Sequence, residues 1–199
     1  VAGTNYALHA EVVRVPRNLV RHVPEEVPLL QASTVALGAI ALQGVRRLEP
    51  TLGETVVVFG LGLIGQVTVQ LLRAAGCRVI AVDPDPARTA LALTHGADAA
   101  FGSSSDLGFA DAGRLTAGVG ADGVVVTAAT RDATLLNAAF GLCRRRGRVI
   151  LVGDVPIEID RGAIYRNELD FLISTSYGPG RYDSRYEEDG VDYPVGYVR

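Results

Sequence analysis

The sequence predicts an α/β fold, a doubly wound parallel sheet with helices on both faces. Three observations predict it. From residue 55 onward, short β-branched apolar runs alternate with helical segments. The runs are almost continuously hydrophobic, as strands covered on both faces must be. A glycine-rich turn, Gly60-Leu61-Gly62-Leu63-Ile64-Gly65, joins the first of these runs to the first helix behind it. Strand–helix alternation of this kind folds into right-handed βαβ units.

Each element follows in order. Tyr6–Pro16 is valine-rich and reads as a strand, and Asn18–Val23 as a second short one closed by Pro24. Pro28 to Leu48 has helical spacing with small residues along it, and Gly38 is the expected break between two helices. The strands of the sheet are then Thr55–Phe59, Arg78–Val82, Gly123–Thr127 and Arg148–Val152, with a weaker one at Ala97–Phe101. The helices are Leu63–Ala75, Pro86–His95, Asp106–Ala117 and Asp132–Cys143. A last helix at Arg161–Glu168 leads into an outermost strand, Leu169–Ser176. The division expected is 1–48 before the sheet, 49–177 for the sheet and its helices, and 178–199 as an irregular tail.

Composition bounds the chemistry. The chain has 199 residues, 48% hydrophobic and 21% charged, which is enough for a sizeable core. A net charge of −3 argues against a nucleic-acid partner. All 19 Lys+Arg residues are arginine, a pattern most simply ascribed to codon bias. Absent lysine excludes a Walker P-loop lysine, a Schiff-base lysine and a Tyr/Lys proton relay. Cys77 and Cys143 stand far apart, and His9, His22 and His95 are scattered. No zinc-finger spacing or disulfide framework results. No apolar run reaches the roughly 18 residues of a membrane span, and no secretory signal opens the chain, so a cytoplasmic setting is expected. The start at Val1 suggests a lost initiator methionine or a cut from a longer protein.

The glycine turn carries the functional signal. It is a G-x-G-x-x-G that follows a strand and opens a helix. Gly60 permits the tight turn, Gly62 lets the backbone approach a pyrophosphate, and Gly65 lets helix and strand pack closely. The helix N-terminus then favours the anion. Eighteen residues after Gly65, at the end of the second strand, stands Asp83. An acidic group there binds ribose hydroxyls and repels a 2′-phosphate, so NAD(H) is favoured over NADP(H). Arg88 is placed to meet the adenine or a 2′-phosphate. Asp85 and Pro86 read as the N-cap and first residue of the next helix, which leaves Asp83 free for the ligand. A methyltransferase binding S-adenosylmethionine shares a glycine loop of this kind, but the strict G-x-G-x-x-G disfavours it.

Several other groups read as structural. Arg144-Arg145-Arg146 with Arg148 is expected to be a cation-stabilised helix C-terminus. His95 before Gly96 reads as a helix end with a glycine cap. Tyr165, Tyr177 and Tyr182 are candidate proton donors whose pattern fits packing equally well.

Taken together, the motifs resemble the medium-chain dehydrogenase/reductase family, the zinc-type alcohol dehydrogenase relatives. The matching strings are Tyr6–Val13 with Val15-Pro16, Gly38–Arg46, Gly53–Val56, the glycine loop, Ala97-Asp98-Ala99, Gly120-Ala121-Asp122 and Gly147-Arg148-Val149. They span about residues 4–177 in family order. The tail Ser176–Asp183 with Tyr193–Arg199 resembles a narrower subgroup, in which such a half is fused to a second, Gfo/Idh/MocA-type half.

The resemblance implies a Rossmann cofactor domain, with residues 1–48 as a remnant of a GroES-like catalytic domain. It implies that Gly60, Gly62, Leu63, Ile64 and Gly65 carry the pyrophosphate and that Asp83 takes the ribose, with Arg88 near the adenine. Thr127 and Ala128 flank the adenine-side ribose, and Val152 and Gly153 lie near the nicotinamide. The activity implied is hydride transfer between NAD(H) and an alcohol or carbonyl carbon. The sequence departs from the family at the metal. Ser33-Thr34-Val35-Ala36 holds no ligand where zinc members have Cys or Glu, and the Cys and Gly-His-Glu ligand segments have no counterpart. Many members place a Thr or Ser against the nicotinamide; by spacing that position is Ala39, with Thr34 one or two turns earlier. No zinc is expected, and the catalytic acid/base is not identified. A non-catalytic NAD-binding subunit or sensor derived from such an enzyme is the alternative. The expected partners are a small-molecule substrate and a second copy joined through edge strand 169–176.

Overall fold

The computed structural model describes residues 10–103 and 114–192. They fall into two compact units, one within residues 41–174 and the other within residues 1–40 and 175–199.

The first unit is a six-stranded, all-parallel sheet. Its strands are β1 (Thr55–Phe59), β2 (Arg78–Val82), β3 (Ala99–Phe101), β4 (Ala121–Val126), β5 (Cys143–Leu151) and β6 (Asp170–Ile173). Their order is β3-β2-β1-β4-β5-β6. Chain order therefore reverses between β1 and β4, and ligands of doubly wound sheets bind outside the strand carboxyl ends at that point. Parallel strands need crossovers. Here α3 (Leu63–Ala74) joins β1 to β2, α4 (Pro86–Thr94) joins β2 to β3, α5 (Leu135–Leu142) joins β4 to β5, and α6 (Arg161–Asn167) joins β5 to β6. Before the sheet come α1 (Leu29–Ala32) and α2 (Val35–Leu48), and α7 (Ser184–Glu187) lies in the tail.

Side chains alternate across the sheet and build one core on each face. Val57, Phe59, Ile80, Val82, Val124 and Val126 face Leu136, Ala139 and Phe140 of α5. Val56, Val58, Val79, Ala81, Val125 and Ile150 face Leu48, Val69, Leu72 and Ala92 from α2, α3 and α4. Phe140 meets Phe171 edge to face, with centroids 5.4 Å apart. The C-terminal half of α2 lies unusually close to the sheet. A Cβ on Gly123 would stand 2.5 Å from Leu48 Cδ1, and one on Gly44 2.7 Å from Val152 Cγ2.

Several boundaries differ from the sequence reading. Residues 10–23 hold no strand; a short 3-10 turn, Arg17–Leu19, stands there instead. Asn18 is engaged by its side chain, which donates to the Tyr186 carbonyl (2.9 Å). The break before α2 falls at Ser33-Thr34, not at Gly38. The Ser33 and Thr34 hydroxyls donate to the Leu30 and Gln31 carbonyls and compete with helical bonding there. Gly38 lies inside α2 and donates to the Thr34 carbonyl at 2.9 Å. The Asp106–Ala117 helix falls largely outside the described residues. The tail is not wholly irregular, since Asp183 caps α7 through the Arg185 N–H (3.0 Å).

The arginine cluster is also corrected. Arg144, Arg145 and Arg146 belong to β5, not to the end of a helix. Ala121 pairs with Cys143 and Gly123 with Arg148, so the intervening β5 residues bulge out of register. Arg146 adopts φ 58° in that bulge. The charges are spent at the amino end of the sheet. Asp122 accepts from Arg144 Nε (2.7 Å) and from the Thr55 N–H (2.7 Å). Arg148 pairs with Glu54 at 2.5 Å, and Arg145 lies 3.7 Å from Glu168.

Leu48→Ala should destabilise the chain by about 2–5 kcal/mol, read as a lower denaturation midpoint. Burial raises the Asp122 carboxyl, but the Arg144 and Thr55 hydrogen bonds and the nearby arginine charges outweigh it and hold the group below its ordinary 3.8. A carboxyl depressed in the folded state stabilises above its unfolded pKa and loses that contribution as pH falls through the folded one. Stability should therefore decline below about pH 4, and Asp122→Asn should flatten that part of the pH profile.

Candidate functional site

The glycine loop is built by close approach. β1 ends at Phe59, and Gly60 turns the chain at φ 84°. Its N–H donates to the Val82 carbonyl at 2.9 Å. A Cβ on Gly60 would stand 2.5 Å from the Ala128 backbone, and one on Gly65 only 1.9 Å from the Gly60 carbonyl oxygen. Gly62 differs, because nothing lies within 4 Å of a Cβ there. Its glycine answers to space outside the fold. Helical bonding begins with the Gln66 N–H donating to the Gly62 carbonyl at 2.9 Å. The N–H groups of Leu63, Ile64 and Gly65 thus have no intrahelical acceptor and mark the positive end of α3.

Asp83 follows β2 and is 4% exposed. Its Oδ2 accepts from the Leu61 N–H at 2.7 Å, and its Oδ1 from the Asp85 N–H at 2.9 Å. The carboxylate therefore braces the glycine loop as well as facing the cleft, a duty that spacing did not reveal. Asp85 caps α4 by accepting from the Ala87 N–H (2.8 Å), with Pro86 at the first helical position, as the sequence predicts. Arg88 lies 3.6 Å from Asp83 and 3.4 Å from Asp85.

Thr127 and Ala128 follow β4. The Thr127 hydroxyl donates to the Gly60 carbonyl at 2.5 Å. The N–H groups of Val152 and Gly153, after β5, both donate to the Val126 carbonyl at 2.9 Å. A Cβ on Gly153 would stand 2.0 Å from the Ala128 carbonyl oxygen.

A cleft of about 680 Å³ opens over these strand ends, within the usual range for a small-ligand pocket. Gly60, Gly62, Asp83, Arg88, Thr127 and Ala128 line it. Leu63, Ile64 and Gly65 open the helix beside it. Val152 and Gly153 are not among its walls. The sequence reading missed Gly102 and Ser103 after β3, and Thr130, Asp132 and Leu135 after β4. The available signal was their position just past a strand end. A second depression of about 510 Å³ lies at the strand amino ends around Glu54, Arg144, Arg146 and Arg148. Arg144 and Arg148 there are already paired with carboxylates.

Among the described residues the carboxylates lining the cleft are Asp83 and Asp132, and no cysteine or tyrosine is among its walls. The Thr134 hydroxyl and N–H bond Asp132 and hold its pKa low, so it is a carboxylate at neutral pH. Burial raises the Cys77 thiol and pushes that of Cys143 up to about 12, so neither is a thiolate. Burial and the Glu187 hydrogen bond raise the Tyr177 phenol. Tyr165 and Tyr182 lie beneath the guanidinium groups of Arg161 and Arg181. Among the described residues no group of three or more His, Cys, Asp or Glu is arranged to hold a metal ion.

Gly65→Ala should lower stability by about 1–3 kcal/mol, since Gly60 must move to admit the methyl group. Gly62→Ala, in extended backbone with open space beside it, should stay within about 1 kcal/mol of the parent. Chemical denaturation of both variants checks the contrast, and equal losses would contradict it.

Residues 64–189 match the protein family described as zinc-binding dehydrogenase. An alcohol dehydrogenase of Geobacillus stearothermophilus is 33% identical over 148 residues, covering 74% of this chain and 41% of its own length. A Sinorhizobium meliloti 1021 dehydrogenase structure bound to NADP superposes with a TM-score of 0.71 at 29% identity, over 80% of this chain and 48% of that one. A short chain alcohol dehydrogenase from Escherichia coli CFT073, complexed with NADH, gives a TM-score of 0.72 at 26% identity, over 81% and 48%. The chain thus spans less than half the length of these relatives. The glycine loop, the strand order and the match over residues 64–189 make the chain a member of the zinc-binding dehydrogenase family.

Proposed function

We propose that the chain is the cofactor-binding part of an NAD(H)-dependent oxidoreductase of the alcohol dehydrogenase-like type. One observation carries the reading: the open Gly62 at the start of α3 and the buried Asp83 face one cleft. Gly62 and the N–H groups of Leu63, Ile64 and Gly65 would receive the pyrophosphate. Asp83 would accept from the ribose, with Arg88, Thr127 and Ala128 along the adenosine. Val152 and Gly153 would lie toward the nicotinamide. A bound nicotinamide supplies hydride transfer with an alcohol or carbonyl carbon, and the protein supplies position and electrostatics.

NAD(H) is preferred over NADP(H) in this reading. A 2′-phosphate would meet the Asp83 carboxylate, and the charge of Arg88 is already shared between Asp83 and Asp85. The reading includes independence from zinc, because Ser33–Ala36 offers no metal ligand. It also includes a homodimer in the cytoplasm. Among the described residues β6 bonds only to β5, and Ile173 on it is 52% exposed, which suits pairing with a second copy.

The second reading, a non-catalytic NAD-binding subunit or sensor, draws support from the same cleft. Its carboxylates, Asp83 and Asp132, are both engaged by hydrogen bonds. Turnover of any alcohol or aldehyde in a panel would count against it.

Calorimetric titration tests the proposal. NADH should bind at least about tenfold more tightly than NADPH, and Gly62→Ala should weaken NADH by about tenfold or more. Binding of neither cofactor by the parent chain would sink the proposal, and stoichiometric zinc in the purified chain would sink its metal clause.

A further inference from the structure

Gln66 follows the glycine motif directly, and nothing in the motif calls for an amide there. Its residue is 6% exposed, and every polar atom of its side chain is used. Nε2 donates to the Leu61 carbonyl (3.1 Å) and to the Arg88 carbonyl (2.9 Å). Oε1 lies 3.0 Å from His95 Nδ1. An amide oxygen only accepts, so the proton on this contact belongs to Nδ1. The amide orientation follows from its partners too. A flipped Gln66 would set its oxygen against the Leu61 and Arg88 carbonyl oxygens.

Leu61 stands between the two loop glycines, and both its polar groups are held from outside the loop. Asp83 takes its N–H (2.7 Å), and Gln66 binds its carbonyl. The same amide ties down Arg88, in the first turn of α4. One side chain thus joins the loop whose N–H groups face a phosphate to the segment that faces the adenosine. His95, at the other end of α4, holds that side chain in its working orientation.

We infer that Gln66 is a positioning residue for dinucleotide binding and that His95 acts through it. The inference rests on the cleft being the dinucleotide site. Without the amide, the buried Leu61 carbonyl loses its donor and the tie to the Arg88 carbonyl is lost, and the loop must be ordered at the expense of binding. With it, the N–H groups of α3 are aimed before the ligand arrives.

The test is NADH titration of the parent chain, Gln66→Leu, His95→Phe and His95→Gln, with amide hydrogen exchange at Leu61–Gly65. Gln66→Leu should bind NADH about tenfold more weakly and exchange these amides faster. His95 is partly exposed, so its variants keep the fold and decide the matter even where Gln66→Leu does not fold. His95→Phe, which removes the donor, should weaken NADH by about threefold, and His95→Gln, which restores an N–H, should recover most of the loss. A parent chain that binds NADH alongside variants that bind it equally well overturns this inference alone. A parent chain that binds no dinucleotide overturns the proposed function, and this inference with it.

Discussion

The site depends on how closely three strand ends approach one another. At the carboxyl ends of β1, β4 and β5, Gly60 lies against Ala128, Gly153 lies against Ala128, and Gly65 of α3 lies against the Gly60 carbonyl. Each contact is closer than a Cβ allows. Interiors packed at this density transmit small changes in volume. The glycines therefore fix where α3 begins and which way its free N–H groups point. Thr127 locks the same seam by donating to the Gly60 carbonyl. The cleft is what remains above it.

The two ends of the sheet use charge in opposite ways. At the amino end, Asp122 and Glu54 neutralise Arg144 and Arg148, and those pairs hold β1, β4 and β5 in register around the β5 bulge. At the carboxyl end the Gly60 and Leu61 carbonyls are taken up by the Thr127 and Gln66 side chains, while the amides at the start of α3 stay without helical acceptors. Asp83 is the hinge of that arrangement. It braces Leu61 and Asp85 and still borders the cleft. In the proposed reading this carboxylate meets ribose hydroxyls, and the phosphates lie at the helix.

Much of the fold was legible in the sequence because parallel strands buried on both faces leave continuous apolar runs. Thr55–Phe59 and Arg78–Val82 were read to the residue. The Asp85 cap and Pro86 carried their own local chemistry. Where long-range contacts decide, the reading failed. No strand forms in residues 10–23, because a strand exists only where it finds a partner, and none is present among the described residues. The early start of β5 at Cys143 depends on pairing with Ala121, which no local pattern announces. The glycine motif located the cleft, yet Gln66 stayed hidden, since its partners come from a loop, a helix start and a helix end distant in sequence. Gly102, Ser103 and Thr130 carry only the weaker signal of standing just past a strand end.

The central claim is that a dinucleotide lies across the carboxyl ends of the strands, with its phosphates on the first turn of α3. Two-dimensional amide spectra of the chain with added NADH test this most directly. The account predicts large shifts for Gly62, Leu63, Ile64 and Gly65, with smaller ones at Asp83 and Ala128. Shifts confined to Arg144–Arg148, at the opposite end of the sheet, would contradict it.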